Sequence, residues 1–136
     1  MDVLVPTCGE PLAVLQRSLL GCKQQSYPHT TVWVLDDSGR DEVRQLAKRL
    51  GCRYRHRGER RHAKAGNLNA GLRGCHGELV AVFDADFIPQ HRFLELCIGF
   101  LQEPDVALLQ TPQAFINADP VMRNLRMESW LLPDEE

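Results

Sequence analysis

Leu79-Val80-Ala81-Val82-Phe83-Asp84-Ala85-Asp86 joins an apolar run to two carboxylates, and Phe87-Ile88-Pro89 closes the stretch. A short apolar run bounded by turn residues reads as a buried strand. Open α/β sheets bind ligands just outside the carboxyl ends of their strands, so Asp84 and Asp86 are delivered to a ligand-binding edge. The chain is expected to turn near Ala85 so that both acids can meet one ion. Hard divalent cations take carboxylate oxygens, and Mg²⁺ is commonly held by one or two carboxylates together with substrate phosphates. A lone D-x-D is more often a solvated turn or a helix cap, so its meaning rests on what accompanies it.

Working outward, apolar runs and helical periodicities alternate along the chain. Val3-Leu4-Val5 is a first strand. Pro11 opens a helix carrying Leu12, Leu15, Leu19 and Leu20. Val32-Trp33-Val34-Leu35 is a second strand and ends in Asp36-Asp37-Ser38-Gly39. Val43, Leu46, Ala47 and Leu50 mark a second helix, with Gly51 placed to cap its carboxyl end. Cys52 to Arg57 reads as an exposed edge strand, and His62 to Arg73 as a loop entering a helix. A helix around Phe93, Leu94, Leu96, Cys97, Phe100 and Leu101 follows the Asp84 strand. Val106-Ala107-Leu108-Leu109 is a fifth strand, and Val121 to Leu132 suits one more helix. Strands alternating with helices build βαβ units and a mostly parallel sheet, so the expected class is α/β.

The 136 residues suit one domain, small for a complete two-substrate enzyme. With 16 basic and 18 acidic side chains, the balance points away from a general nucleic-acid or membrane-surface binder. No stretch approaches the roughly 18–20 apolar residues that span a bilayer, nor does the start resemble a signal peptide. The chain as it stands is expected to be soluble. Cys8, Cys22, Cys52, Cys75 and Cys97 form no C-x-x-C pair, which argues against a zinc knuckle or thiol-redox centre and suits a reducing cytoplasm. Cys22 and Cys97 fall in apolar helical patterns as small core residues. The tail, Pro133-Asp134-Glu135-Glu136, ends without a capping element, as expected of an excerpt from a longer protein.

Four polar clusters follow successive strands. Pro6-Thr7-Cys8-Gly9-Glu10-Pro11 offers Glu10 either as an acid favoured by a helix dipole or as a partner for ribose hydroxyls or a base edge. Asp36-Asp37-Ser38-Gly39 is an ordinary turn in its Ser and Gly. Two adjacent acids at that edge are less ordinary and suit hydrogen bonding to a nucleoside, although no G-x-G-x-x-G supports a dinucleotide site. His62-Ala63-Lys64-Ala65-Gly66-Asn67-Leu68-Asn69 supplies Lys64 as a compact charge for a phosphate, and Gly66 would allow close backbone approach. Arg53, Arg55, Arg57, Arg60 and Arg61 surround it. Standing alone, this cluster would be a solvated loop or a weak nucleic-acid patch; the near-neutral chain argues against the latter, and no interleaved aromatics offer bases a stacking platform. The fourth cluster is Asp84-Ala85-Asp86. Two acids and a lysine facing one crevice form the charge set that a metal-bound diphosphate needs. A D-x-D-x-T phosphatase fails as an alternative, because Ile88 stands where the Thr is required.

In this order, Pro6-Thr7 with Glu10-Pro11, Asp36-Asp37, His62-x-Lys64-Ala65-Gly66-Asn67-Leu68-Asn69, Phe83-Asp84-Ala85-Asp86 and Gln110-Thr111-Pro112 resemble the processive family-2 glycosyltransferases, of the bacterial cellulose synthase kind. Phe115-x-Asn117-x-Asp119-Pro120 and Arg123-Asn124-Leu125 extend the resemblance over nearly the whole chain. It implies a GT-A fold, an open and mostly parallel sheet flanked by helices. Residues 1–136 would be the nucleotide-sugar-binding portion of that domain. UDP-glucose is the implied donor, with Mg²⁺ or Mn²⁺ bridging its diphosphate. Thr7, Glu10 and Asp37 would contact the uridine, Lys64 the uracil or diphosphate, and Asp84 and Asp86 the sugar-diphosphate and metal. The implied reaction extends a β-1,4-glucan acceptor with inversion.

The parent protein would sit in the bacterial inner membrane with this part facing the cytoplasm, beside further subunits of a synthase complex. Cys8-Gly9 departs from an aromatic and Asn common in the family, and Gln113 from a frequent His. The T-E-D segment that carries the family's general base, the Q-x-x-R-W segment that holds acceptor and diphosphate, and the transmembrane helices are not among these residues. The resemblance therefore assigns no catalytic base to this chain, and the chain alone is expected to be inactive. Alternatives are a UDP-N-acetylglucosamine or GDP-mannose synthase of the same family, or a non-catalytic nucleotide-binding module on the same scaffold.

Overall fold

The computed structural model describes residues 1–58 and 63–112. Among these residues, four strands form one parallel sheet in the order β3-β2-β1-β4. These are β1 (Asp2–Thr7), β2 (Thr31–Asp36), β3 (Arg53–His56) and β4 (Val80–Val82), as the alternation of strand and helix predicts. The helices are α1 (Leu12–Lys23), α2 (Asp41–Arg49), α3 (Ala63–Leu72) and α4 (Phe93–Ile98), followed by a 3₁₀ turn over Phe100–Gln102. None of them is long and apolar enough to cross a membrane.

β1 lies inside the sheet and is buried along its whole length, which is why Val3-Leu4-Val5 at its centre is uniformly apolar. Alternation along β1 and β2 sends Val3, Val5, Val32 and Val34 to one face. There they join Leu15, Leu19 and Cys22 of α1 and Val43, Leu46 and Ala47 of α2 in the main core. Each of these larger side chains contributes about 1.5–3 kcal/mol by leaving water. Trp33 and Leu35 point to the opposite face, where α3 lies. α3 can approach closely because its inner positions are small: a Cβ on Gly71 would stand 2.5 Å from Leu35 Cδ1. α2 ends where its sequence says it should, with Gly51 in the left-handed region at φ +65°.

Three expectations are corrected. The Val106–Leu109 run forms no strand; Leu108 is 81% exposed, and residues 108–112 lie across a cavity of about 590 Å³ from β4. A strand needs a ladder partner, and apolar composition alone does not supply one. β4, expected to be a buried strand, is the edge of the sheet among the described residues, with Val80 and Val82 both exposed, while Phe83 and Ala85 just beyond it are buried. Cys97 is half-buried rather than in the core. Val121–Leu132, Gln113 and the motifs at 115–125 lie outside the described residues.

Candidate functional site

Because all strands run the same way, their carboxyl ends share one edge. The register places Thr7, Asp36 and His56 side by side in a row across β1, β2 and β3. The polar clusters therefore converge for a topological reason. Thr7, Glu10, Asp37, Lys64, Asp84 and Asp86 all line one crevice of about 400 Å³ at this edge, with Asn67, Cys8 and Ala85 between them. The larger apolar cavity beside β4 takes only Asp84 from this set and, among the described residues, is lined by no other charged side chain. Ligand sites combine apolar walls with a few convergent polar groups, and the smaller crevice is the one so equipped.

The first wall is a self-braced loop. Glu10 Oε2 accepts from Thr7 Oγ1 at 2.5 Å and from the Cys8 N–H at 2.7 Å. Burial raises the Glu10 pKa, but the Thr7 hydroxyl, its own N–H, the Cys8 N–H and Arg40 outweigh that and hold it below the usual range. Glu10 lies one residue ahead of Pro11, the residue that caps α1, and the first turn of that helix carries no acid of its own. Gly9 sits at φ +110°, a conformation that a side chain would strain.

The second wall turns on Asp36, whose side chain is fully buried. Its carboxylate accepts from the Ser38 N–H (2.8 Å) and hydroxyl (2.5 Å), the Arg40 N–H (3.0 Å) and the Tyr54 hydroxyl (3.0 Å). Burial pushes its pKa up, and these donors, Ser38 foremost, bring it below the ordinary value. Arg40 then reaches back to the Glu10 carbonyl at 2.8 Å and ties the first two walls together. The His56 ring lies under Gly39, where a Cβ would come within 2.9 Å of Cε1 at φ +68°. Held in this way, Asp37 faces the crevice, its N–H donating to the Thr7 carbonyl at 2.9 Å.

Asp37 is paired bidentately with Arg57, Nε to Oδ1 at 2.6 Å and Nη2 to Oδ2 at 2.8 Å. Both side chains are largely buried, and the fork geometry fixes the carboxylate plane as well as its charge. Arg57 Nη2 also donates to the Ala63 carbonyl at 2.7 Å, which links this wall to the start of α3. The next residue of α3 is Lys64, whose ammonium pairs with Asp84 Oδ1.

Asp84 and Asp86 flank a turn closed by Phe87 N–H to the Asp84 carbonyl at 3.0 Å. The bend near Ala85 that the sequence requires is present: Ala85 is buried and both acids line the crevice. No group of three or more His, Cys, Asp or Glu side chains is placed to hold a metal among the described residues. Two carboxylates alone fit an ion whose remaining ligands come from a diphosphate and water.

Three participants are not singled out by motif. Arg57 is one basic residue among several in its stretch, Asn67 has no role of its own within its motif, and Arg40 carries no signal. All five cysteines are unpaired, and Cys8 is exposed beside the crevice.

The Glycosyl transferase family 2 profile matches residues 2–136. The chain is 42% identical over 128 residues to the UDP-forming cellulose synthase catalytic subunit of Xanthomonas axonopodis pv. citri (strain 306), covering 92% of this chain and 18% of that protein. To the UDP-forming cellulose synthase 1 catalytic subunit of Komagataeibacter xylinus it is 37% identical, covering 92% and 17%. The chain thus spans under a fifth of the length of these relatives.

Among solved structures, S. aureus TarS 1-349 in complex with UDP superposes with a TM-score of 0.67 at 20% identity, over 82% of this chain and 38% of that one. The glucosyl-3-phosphoglycerate synthase of Mycobacterium tuberculosis, in complex with Mn²⁺, UDP and glucosyl-3-phosphoglycerate, superposes with a TM-score of 0.63 at 21% identity, over 76% and 40%. These likenesses establish the GT-A fold.

Proposed function

The chain belongs to glycosyl transferase family 2, and from that premise we propose that it is the donor-binding portion of a polysaccharide synthase that transfers glucose from UDP-glucose to a growing β-1,4-glucan with inversion. The observation that carries this reading is the convergence of two carboxylate clusters and one lysine on a single crevice at the carboxyl edge of a parallel sheet. Relatives named cellulose synthase catalytic subunits, and a fold neighbour complexed with UDP, support it.

In this reading Thr7, Glu10 and Asp37 face the uridine. Asp37 is suited to accept a hydrogen bond from the base or ribose because Arg57 holds its carboxylate in one plane. Lys64 neutralises the diphosphate. Asp84 and Asp86 would hold Mg²⁺ or Mn²⁺, which, when bound, offsets the charge of the diphosphate leaving group. A base is still needed to take the proton of the acceptor hydroxyl, a function worth about 10²–10⁴-fold. We assign that role to no residue of this chain. Acceptor binding, a membrane anchor in the inner membrane and partner subunits belong to the larger protein of which this would be the cytoplasmic part.

Calorimetric titration with UDP tests the assignment. Binding is expected to require Mg²⁺ or Mn²⁺ and to weaken about tenfold or more in Asp37→Ala, Lys64→Ala and Asp86→Ala, as expected for losing one charge-assisted contact. No binding at millimolar UDP, in a sample whose circular dichroism shows it folded, refutes the reading.

A further inference from the structure

Asn67 is a buried polar side chain in the crevice with no part in the assignments above; it is 4% exposed and lines the same space as Lys64 and Asp84. Its Nδ2 donates to the carbonyl of Leu35 at 2.7 Å. Leu35 immediately precedes Asp36-Asp37, so this bond ties α3 to the end of β2 at the base of the nucleoside wall. Residues three and four apart share a helix face. Lys64, Asn67 and Gly71 are spaced three and then four residues apart, so one face of α3 carries all three. Gly71 presses against the Leu35 side chain and Asn67 grips its carbonyl, which leaves Lys64, one turn earlier, projecting over the crevice.

We propose that Asn67 is a positioning residue for Lys64: it sets the height and rotation of the first turn of α3, so that the ammonium meets the diphosphate of a bound nucleoside diphosphate. This rests on the reading that the crevice takes UDP. A carbonyl can only accept, so the side-chain nitrogen must face Leu35, and the orientation of the amide is fixed. Among the described residues, the first turn of α3 is also held by Arg57 at the Ala63 carbonyl and by the Lys64–Asp84 pair, both of them exposed. Asn67, at the start of the next turn, supplies a buried tie. Its effect should therefore fall on the part of the ligand that Lys64 reads, the diphosphate, and spare the part that Thr7 and Asp37 read.

A double-mutant cycle separates this from a general packing role. Asn67→Ala is expected to weaken UDP about tenfold, the scale of one lost buried hydrogen bond, while uridine affinity by NMR titration changes less than about twofold. In the Lys64→Ala background, Asn67→Ala should cost no further UDP affinity, because the lysine it positions is gone. Equal losses for uridine and UDP, or the same loss with and without Lys64, overturn the proposal. Asn67→Ser, which keeps a donor, should recover part of the UDP affinity and provides the comparison if the alanine variant does not fold. Should the wild-type chain bind no UDP, the functional reading itself fails, and amide exchange then decides the role of Asn67. In Asn67→Ala, exchange at residues 67–70, the first amides of α3 bonded to carbonyls of the helix itself, should rise at least about tenfold more than in β1 and β2. Uniform acceleration overturns the tie.

Discussion

Gly71→Ala sets two known effects against each other on the face of α3 that packs on β2. Glycine inside a helix is about 1 kcal/mol less favourable than alanine, so propensity alone makes the substitution stabilising. Geometry opposes it. The new Cβ would lie 2.5 Å from Leu35 Cδ1, 3.0 Å from Cδ2 and 3.3 Å from Cγ. Carbon atoms pack best at about 3.5–4.0 Å, so either the tip of Leu35 retreats by roughly 1 Å or α3 lifts. Leu35 is completely buried and has no solvent to swing into. Overpacking a tight core costs about 1–3 kcal/mol. A contact this short against an enclosed side chain belongs in the upper half of that range.

After subtracting the propensity gain, the net loss is about 1–2 kcal/mol. For a chain of this size that lowers Tm by roughly 3–10 °C. Thermal unfolding followed by far-ultraviolet circular dichroism reads it directly, and a urea titration with an unchanged slope would show that stability alone moved. Gly99→Ala is the control: its backbone is right-handed helical (φ −58°, ψ −38°) and a Cβ there would meet nothing within 4 Å, so Tm should hold or rise slightly. A Gly71→Ala chain as stable as the wild type, or more so, would refute the reasoning. It would mean that α3 can leave the sheet without cost, and that close packing does not hold Lys64 over the crevice.

Lys64→Met should weaken UDP about tenfold yet raise the affinity for Mn²⁺ alone, because Asp84 is released from its ammonium partner. The pair is well exposed, so the gain should be only about two- to fivefold, in keeping with roughly 0–1 kcal/mol for surface ion pairs. Titration of free Mn²⁺ by electron paramagnetic resonance measures it, and a fall in both affinities would show that lysine and metal do not compete for Asp84. For acid stability, Asp36 and Glu10 both have depressed pKa values in the folded chain. The stability they contribute is therefore complete above the unfolded values of about 3.9 and 4.3, and is lost as pH falls through the lower folded values. Asp36→Asn should lower the urea midpoint at pH 7 and lose less than the wild type on going to pH 3. Parallel losses in the two proteins would show that the Asp36 network is not the acid-labile element.

Much of this fold is legible because burial dictates composition. Val3-Leu4-Val5 and Val32 to Leu35 read as interior strands because they lie in the body of the sheet. The periodicity of Val43, Leu46 and Ala47, with Gly51 after it, marks α2 and its end. β4 is harder, since only three of its residues pair with β1 and its outer edge meets no strand among the described residues. Val106–Leu109 misleads for the same reason from the other side. Apolarity tells that a segment needs cover, whereas a strand is defined by which neighbour accepts its hydrogen bonds, and no local pattern carries that information.

The candidate site divides along the same line. The acids and the lysine can be found one cluster at a time, because each cluster follows a strand and parallel strands end together. Their partners cannot, because pairing depends on register. Asp36 stands opposite His56 in the ladder between β2 and β3, so the next residues, Asp37 and Arg57, come together beyond the strand ends. A register shifted by one residue would leave the same sequence with Asp37 facing a different partner. The two pairs at this edge differ in kind. Arg57 and Asp37 are largely buried and joined by two bonds, so a ligand meets Asp37 already oriented and is not required to displace Arg57. Lys64 and Asp84 are well exposed and joined through a single contact, so an incoming anion and an incoming cation would each find one partner to take. On the proposed reading, the wall assigned to uridine is therefore preformed and the wall assigned to the diphosphate is built to exchange charges, a division set by burial rather than by which residues the motifs contain.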